Sequence, residues 1–177
     1  MNKIIIALLL IQTCVSCGNN DVETQATPTE LSRQSVCYID GMILLDYPGP
    51  KAQAITKNNE THYFCDVKGF LETWFDENRT FKIKSAFVQD FSGLKWGSYK
   101  DKWIQAEKAW YVFGSKLQGA MGQTMVTFSS NESAHAFMKE NGGKVLGFDQ
   151  INQDVLEQYL KQVRDSFRQE DHSHHHH

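Results

Sequence analysis

Two adjacent segments organise this sequence: Cys-Tyr-Ile-Asp-Gly-Met at residues 37–42, and Asp-Tyr-Pro-Gly-Pro-Lys-Ala-Gln at residues 46–53. The first places a thiol, Cys37, and a thioether, Met42, on either side of a glycine. Sulfur donors of this kind suit Cu(I), whereas oxygen donors suit harder ions. Both residue types are also common in protein cores, so this pair alone allows either a metal site or ordinary packing.

The size and charge of the chain limit the class of protein. It has 177 residues and a formal net charge of -3, with no run of basic residues, so nothing indicates a nucleic-acid partner. This length fits one compact domain or two small modules that share a core. An aromatic content of 12% is sufficient to build such a core.

Residues 1–16 are interpreted as a signal peptide. A short positive start precedes an apolar run, Ile4 to Ile11, which is too short to span a bilayer. Cys17 follows Ser16 at the end of this run, as in a bacterial lipobox, which implies cleavage before Cys17 and acylation of that residue. Cys14 is a weaker candidate, and the alternative to lipidation is a plain cleaved signal, which would also export the chain. Residues 17–35 are then the lipidated cysteine and a polar tether, and the folded part is expected to begin near residue 36.

The two remaining cysteines, Cys37 and Cys65, are 28 residues apart, which is not a zinc-finger spacing. In an exported protein, such a pair is compatible with a disulfide, with two core thiols or with a shared metal site. The spacing alone does not choose among the three.

The hydrophobic pattern predicts two similar halves, residues 36–92 and 93–151. The first half is predicted to contain a strand at 38–46, a hairpin at 52–56 and 61–65, a helix at 68–77 and a strand at 83–91. The second is predicted to contain strands at 103–114 and 124–128, a helix at 133–141 that ends at Gly142-Gly143, and a strand at 144–148, with a loop at 115–122.

These patterns predict an α+β fold of two packed ββαβ modules plus a C-terminal amphipathic helix at 152–168. Each half is too small to fold comfortably alone, so the two are expected to pack together. Residues 169–177 form a histidine-rich tail, which is either a native metal-collecting tract or a purification tag.

Several short motifs occur together in a fixed order. They are Cys37 with Gly41-Met42, residues 46–53, Phe64-Cys65, residues 109–112, Gly114-Ser115, the loop at 119–122, and Ala136-Phe137 with Gly142-Gly143. From residue 36 to 151, together with the lipobox, this order resembles the NosL family of accessory lipoproteins of nitrous oxide reductase. The resemblance implies a fold similar to that of the organomercurial lyases. It also implies periplasmic Cu(I) binding and delivery to the copper-sulfur centre of that reductase.

The resemblance and the donor chemistry together predict the ligands. Cys37 as a thiolate is the first candidate and Met42 the second, while Met121 is the third because its flanking glycines allow close approach. Cys65 is either a fourth ligand, a structural thiol or the disulfide partner of Cys37. The family often has a second cysteine where this chain has Asp40, so a Cys-x-x-Cys redox role is absent. Asp40 is either a hard ligand next to the sulfur donors or a turn residue, and the turn is expected.

The sequence therefore predicts a Cu(I) metallochaperone, not an enzyme, anchored through Cys17 to the periplasmic side of the inner or outer membrane. Its partners would be nitrous oxide reductase and the assembly machinery of that enzyme. Two alternatives are a thiol-dependent enzyme of the organomercurial-lyase type and a structural lipoprotein with a Cys37–Cys65 disulfide.

Overall fold

The structure is a computed structural model that describes residues 26–173. The predicted signal peptide, the proposed lipidation site Cys17 and the last four histidines lie outside the described residues. Within the described range, no helix combines the length and the apolar composition needed to cross a membrane.

The first module has the predicted ββαβ order. Its elements are β1 (Ala52–Thr56), β2 (Thr61–Phe64), α1 (Val67–Phe75) and β3 (Ile83–Gln89). The strands are antiparallel in the order β2-β1-β3, and a short strand, β4 (Trp103–Gln105), extends the sheet beside β3. Helix α1 begins where the Asp66 carboxylate accepts a hydrogen bond from the Gly69 N–H at 2.8 Å.

The second module repeats that order with a hairpin inserted. Its elements are β5 (Trp110–Phe113), β6 (Gln118–Gly119), β7 (Gly122–Gln123), β8 (Val126–Phe128), α2 (Asn131–Asn141) and β9 (Lys144–Gly147). The antiparallel sheet has the order β8-β5-β9, and β6 and β7 pair separately as the inserted hairpin. The loop predicted at residues 115–122 therefore contains most of the β6–β7 hairpin, with Met121 at the tip of the hairpin.

The strand predicted at residues 38–46 is wrong. Residues 37–42 instead form a tight turn, in which the Cys37 N–H donates to the Met42 carbonyl at 2.8 Å and Gly41 has a φ of 73°. The Asp40 side chain accepts from the Met42 N–H at 3.0 Å, which confirms Asp40 as a turn residue. A 3-10 helix, Leu44–Asp46, follows the turn, so only isolated bridges remain where a strand was expected.

The single strand predicted at residues 103–114 is also wrong. A 3-10 helix, Ala106–Lys108, divides it into β4 of the first sheet and β5 of the second. The segment was interpreted as one strand because both pieces are apolar. It is in fact the connection between the modules.

One hydrophobic core joins both modules, as expected. It contains Phe70 and Leu71 of α1 and Tyr111 of β5, together with Leu156 and Tyr159 of the last helix, α3 (Gln153–Ser173). Helix α3 runs five residues past the predicted end at 168. Burying the faces of two sheets and a long helix against each other gives the small modules an interior that neither has alone.

Packing extends into the segment before residue 36. Leu31 is buried, and the backbone of Thr29 exchanges two hydrogen bonds with the Gln53 side chain, at 2.9 and 3.1 Å. Residues 29–35 therefore cover the first sheet next to the turn at 37–42.

Candidate metal centre

Cys37 and Cys65 form a buried pair of free thiols, with exposed fractions of 2% and 1%. A parallel bridge holds Cys37 beside Tyr63 of β2, and Cys65 follows the end of that strand directly. The Cys65 N–H donates to the Cys37 sulfur at 3.4 Å. Strand pairing therefore joins two thiols that are distant in sequence.

The pKa values of the two thiols are shifted in opposite directions, because the Cys65 thiol donates a hydrogen bond to the Cys37 sulfur. The hydrogen bond from the Cys65 thiol is the largest influence on Cys37. With backbone N–H groups of Cys65, Ile39 and Asp40, it outweighs burial and lowers the Cys37 pKa to about 7. The same hydrogen bond, with burial and neighbouring negative charge, holds the Cys65 pKa far above its ordinary value. At neutral pH the pair therefore carries about half a negative charge on average, located on Cys37.

Asp40 completes a group of three possible metal ligands. The Asp40 Oδ2 atom lies 3.8 Å from the Cys65 sulfur, and one ligand atom from each of Cys37, Asp40 and Cys65 lies within 4.8 Å of the others. The thiols are buried whereas the Asp40 side chain is exposed. The group is therefore open to solvent on the Asp40 side.

The predicted thioether residues lie around this pair. Met42 packs against the small cluster formed by the two cysteines with Leu31 and Leu44. From the second module, Ala120 at the tip of the β6–β7 hairpin packs against the same cluster. Its neighbour Met121 is 38% exposed.

A lysine fastens the hairpin tip to the first module. The Lys68 ammonium, at the start of α1, donates to the Met121 carbonyl at 2.9 Å. The structure therefore brings Cys37, Cys65 and Met42 into one cluster and places Met121 at its edge, on the other module.

Two buried charged residues beside the thiols were not singled out as site residues by the sequence. Lys51 is 1% exposed, and its ammonium donates to the carbonyls of Tyr47 and Pro48 at 2.8 and 3.1 Å. Burial lowers the Lys51 pKa to about 8, while negative charge on the thiol pair and at Asp66 opposes that change. Burial also raises the pKa of Asp66, against the hydrogen bond from the Gly69 N–H.

The Pro-Gly-Pro turn explains how a lysine can be buried there. Gly49 has a φ of 87°, and a Cβ at this position would lie 3.2 Å from the Trp96 ring, so the tight turn against Trp96 needs glycine. The turn directs two carbonyls at the Lys51 ammonium, which keeps its charge solvated by the backbone. The only sequence signal was the position of a lysine directly after this rigid turn.

Apolar side chains are exposed on the segments that carry the thiol pair. Five of the six large hydrophobic residues that are prominently exposed in the described part of the chain come from the segments that carry the site: Val36, Tyr38, Ile39, Tyr47 and Met121. We call these five residues the apolar rim. Exposed apolar side chains grouped in this way are typical of protein interaction sites.

Comparison with known proteins gives matches over most of the chain. A sequence model of the NosL family matches residues 28–156. The "Copper-binding lipoprotein NosL" of Stutzerimonas stutzeri is 34% identical over 157 residues, covering 87% of this chain and 82% of that protein. The protein of the same name from Achromobacter cycloclastes is 32% identical over 150 residues, covering 82% of this chain and 76% of that protein.

The fold is also similar to a solved structure. The crystal structure of the copper chaperone NosL from Shewanella denitrificans superposes with a TM-score of 0.68 at 32% sequence identity. The match covers 72% of this chain and 97% of the solved chain. The similarity therefore includes nearly the whole of that protein.

Proposed function

This chain belongs to the NosL family, and from that premise we propose that it is a Cu(I) chaperone that supplies a periplasmic copper enzyme. The observation that carries the proposal is the thiolate–thiol pair of Cys37 and Cys65 with Met42 packed against it. Thiolate and thioether donors match the preference of Cu(I) for soft ligands.

Loading and release would proceed by ligand exchange. Cu(I) would bind the Cys37 thiolate first and then Cys65, whose proton is released to solvent. Met42 and Met121 are the thioethers that could complete the set. Because Met121 is exposed, it is the donor that a partner's ligand could replace first.

The apolar rim supplies a surface for the protein that receives the metal. Its side chains are exposed on the segments that carry the site, and we propose that a protein that takes the metal covers them. From the family resemblance described above, we propose nitrous oxide reductase as the enzyme that receives the copper.

We also propose that a lipid on Cys17 anchors the protein to the membrane, because of the lipobox described above. Cys17→Ser is expected to move the protein from the membrane fraction to the soluble fraction, and retention at the membrane would contradict the anchor.

A competitive Cu(I) titration under reducing conditions tests metal binding. The background is the full chain with Cys14→Ser and Cys17→Ser, in which Cys37 and Cys65 are the only thiols. Cys37→Ser is expected to abolish tight binding, and Met121→Leu to weaken it by about tenfold because one soft donor is lost. Met138→Leu is the matched control, since Met138 packs in a separate cluster on α2.

The Met138→Leu control should bind Cu(I) as tightly as the background. Weak Cu(I) binding by the background, unchanged by Cys37→Ser, would contradict the chaperone function. A second measurement, transfer of copper from the loaded chain to copper-free nitrous oxide reductase, tests the partner separately.

The grouping of Asp40 with both thiols favours one second candidate function, cleavage of a carbon–mercury bond. In that reaction the two sulfurs would take the metal, and the proton given up by the thiol pair would go to the carbon through the carboxyl group. Release of benzene from phenylmercury by the background, with Met42→Leu and Met121→Leu as active as the background, would support the enzyme. A Cu(I) site should be impaired by those two substitutions.

A further inference from the structure

We propose that Lys68 and Asp66, at the start of α1, are positioning residues that hold the backbone of the β6–β7 hairpin tip and so place Met121 at the thiol pair. The inference rests on the proposed function, because Met121 is one of the sulfur donors proposed there for Cu(I). It assigns a role to two residues of the first module that have no sulfur, and it explains how an exposed methionine of the second module stays at the edge of the cysteine cluster.

Lys68 connects the two modules at the hairpin tip. Its ammonium donates to the Met121 carbonyl at 2.9 Å. Lys68 lies three residues after Cys65, in the first turn of the helix that follows this thiol. The hydrogen bond therefore ties the peptide of Met121 to the same short segment that carries one of the two cysteines.

Asp66 offers the hairpin tip a second contact. Its Oδ1 atom accepts from the Gly69 N–H at 2.8 Å and caps α1, whereas its Oδ2 atom is buried and has no hydrogen-bond partner among the residues that the structure describes. Burial raises the pKa of Asp66, and the Met121 N–H is one of the groups that oppose this rise, so this N–H faces the carboxylate. Because a buried oxygen without a donor is unfavourable, a small movement of the tip toward Asp66 gains a hydrogen bond.

The base of the hairpin is held separately from its tip. The Trp96 indole N–H donates to the Gln118 carbonyl at 3.1 Å, at the start of β6. At the tip, Ala120 packs against the cysteine cluster, but apolar packing has no directional preference. The orientation of the peptide from which the Met121 side chain projects therefore depends on hydrogen bonds to its own N–H and carbonyl.

Positioning matters for a thioether more than for a thiolate. A thioether is neutral and a weak donor, so its contribution to the binding of Cu(I) is small unless it is already in place. Ordering a flexible methionine on an exposed tip costs conformational entropy. When Lys68 and Asp66 hold the Met121 peptide before the metal arrives, the backbone part of this cost is removed from the binding step. Release then requires only that the methionine side chain leave the copper.

Lys68→Leu tests the contact in the full chain with Cys14→Ser and Cys17→Ser, because leucine keeps an apolar stem and suits a helix but has no donor. Cu(I) affinity is expected to fall about fivefold, since a hydrogen bond from a charged group is lost. Lys68→Arg should stay within about twofold of the background, because a guanidinium can donate to the same carbonyl. Lys116→Leu is the matched control and should leave the affinity unchanged. Its ammonium also donates to a backbone carbonyl, that of Glu140 at the end of α2, at 3.1 Å.

A second comparison separates positioning from charge, since Lys68→Leu also removes a positive charge near the thiol pair. In a Met121→Leu background, Lys68→Leu should not weaken Cu(I) binding further, because the donor that Lys68 positions is already gone. An equal loss with and without Met121 would overturn the inference, because the effect of Lys68 would then be electrostatic.

Hydrogen exchange of the metal-free protein gives a readout that does not depend on copper. The Met121 amide should exchange about threefold faster in Lys68→Leu and in Asp66→Asn than in the background. Asparagine can still cap α1 through its oxygen, but it presents an amide nitrogen where the Met121 N–H needs an acceptor. Unchanged exchange in both variants would overturn the inference while leaving the Cu(I) chaperone in place. Failure of the background to bind Cu(I) would contradict the proposed function, and the exchange rates would still decide whether the two residues hold the tip.

Discussion

The chemical character of Cys37 depends on one neighbouring side chain. The thiol of Cys65 is its main hydrogen-bond donor, and that bond overcomes the burial that would otherwise keep Cys37 protonated. A buried thiolate ready at neutral pH is what a soft metal site needs, since the thiolate and not the thiol is the ligand. Each cysteine is therefore required for the state of the other.

Cys65→Ala is expected to raise the Cys37 pKa above about 7, because the donor with the largest effect is lost while burial, which raises the pKa, remains. The Cys37 thiolate fraction at pH 7 should then fall clearly below about half. A pH titration of thiolate ultraviolet absorbance in the Cys14→Ser, Cys17→Ser background measures this change.

Cys65→Ser is the matched variant, because its hydroxyl can still donate to the Cys37 sulfur. Its titration midpoint should lie between those of the background and the alanine variant. An alanine variant that still titrates near pH 7 would show that the backbone N–H groups, rather than the Cys65 thiol, set the acidity of Cys37.

The sequence identified the sulfur residues of the site but not its charges. Cys37 and Met42 could be found because their spacing is local, and Met121 because glycines flank it. Lys51 and Asp66 gave no such signal: a lysine and an aspartate are normally exposed, and only the fold shows that both are buried beside the thiols. Their electrostatic effect depends on burial, which one sequence does not report directly.

At the level of elements, predictions succeeded where a single residue fixes the backbone. The end of α2 at Gly142-Gly143 was predicted, because glycines with positive φ after a helix have a direct local cause. The strands predicted at 38–46 and 103–114 were wrong, because apolar residues alone do not reveal a turn or a change of sheet.

Gly143→Ala is expected to destabilise the protein by about 3 kcal/mol or more. A Cβ at this position would lie 2.4 Å from the Phe113 carbonyl oxygen, and the φ of 99° is unfavourable for alanine as well. The chain after α2 would have to move away from β5, disturbing the pairing of β9. Urea unfolding followed by circular dichroism measures the loss.

Gly142→Ala is the control for this prediction. Gly142 also has a positive φ, 74°, but a Cβ there meets nothing within 4 Å. Gly142→Ala should therefore reduce the free energy of unfolding only through the unfavourable positive φ, by about 1 kcal/mol. Equal losses for the two variants would show that the contact with Phe113 is not the cause.

At the scale of the whole molecule, the two sheets are joined by a buried carboxylate. Asp90 follows β3 of the first sheet, and its side chain accepts from the Ser129 N–H, just after β8 of the second, at 3.1 Å. Its other oxygen pairs with the Lys102 ammonium at 2.6 Å. The relative position of the modules also determines where the hairpin tip carrying Met121 meets the thiol pair, so this junction contributes to the shape of the site.

Asp90→Asn is expected to reduce the free energy of unfolding by about 2 kcal/mol at pH 7, since hydrogen bonds to a charged group are replaced by weaker ones. Burial opposes ionisation of Asp90, but the bonds from Lys102, Ser129 and Ser92 outweigh it and hold its pKa well below the ordinary range. The folded state therefore releases this proton more readily than the unfolded state. Its stabilising effect is full above the unfolded pKa, near 4, and declines as the pH falls below that value.

The difference in stability between the parent protein and Asp90→Asn should accordingly stay constant from pH 7 to about 5 and shrink below about 4. Asp76→Asn is the control, because this exposed carboxylate only accepts from the Asn78 N–H, which an amide oxygen can also do. It should change stability by no more than about 0.5 kcal/mol. Urea unfolding at several pH values measures both variants. If Asp90→Asn left the free energy of unfolding unchanged at pH 7, the carboxylate would not be what joins the modules. The bond from the Phe91 N–H to the Thr127 carbonyl and the bond from the Thr127 hydroxyl to the Gln89 carbonyl would then be the links to test.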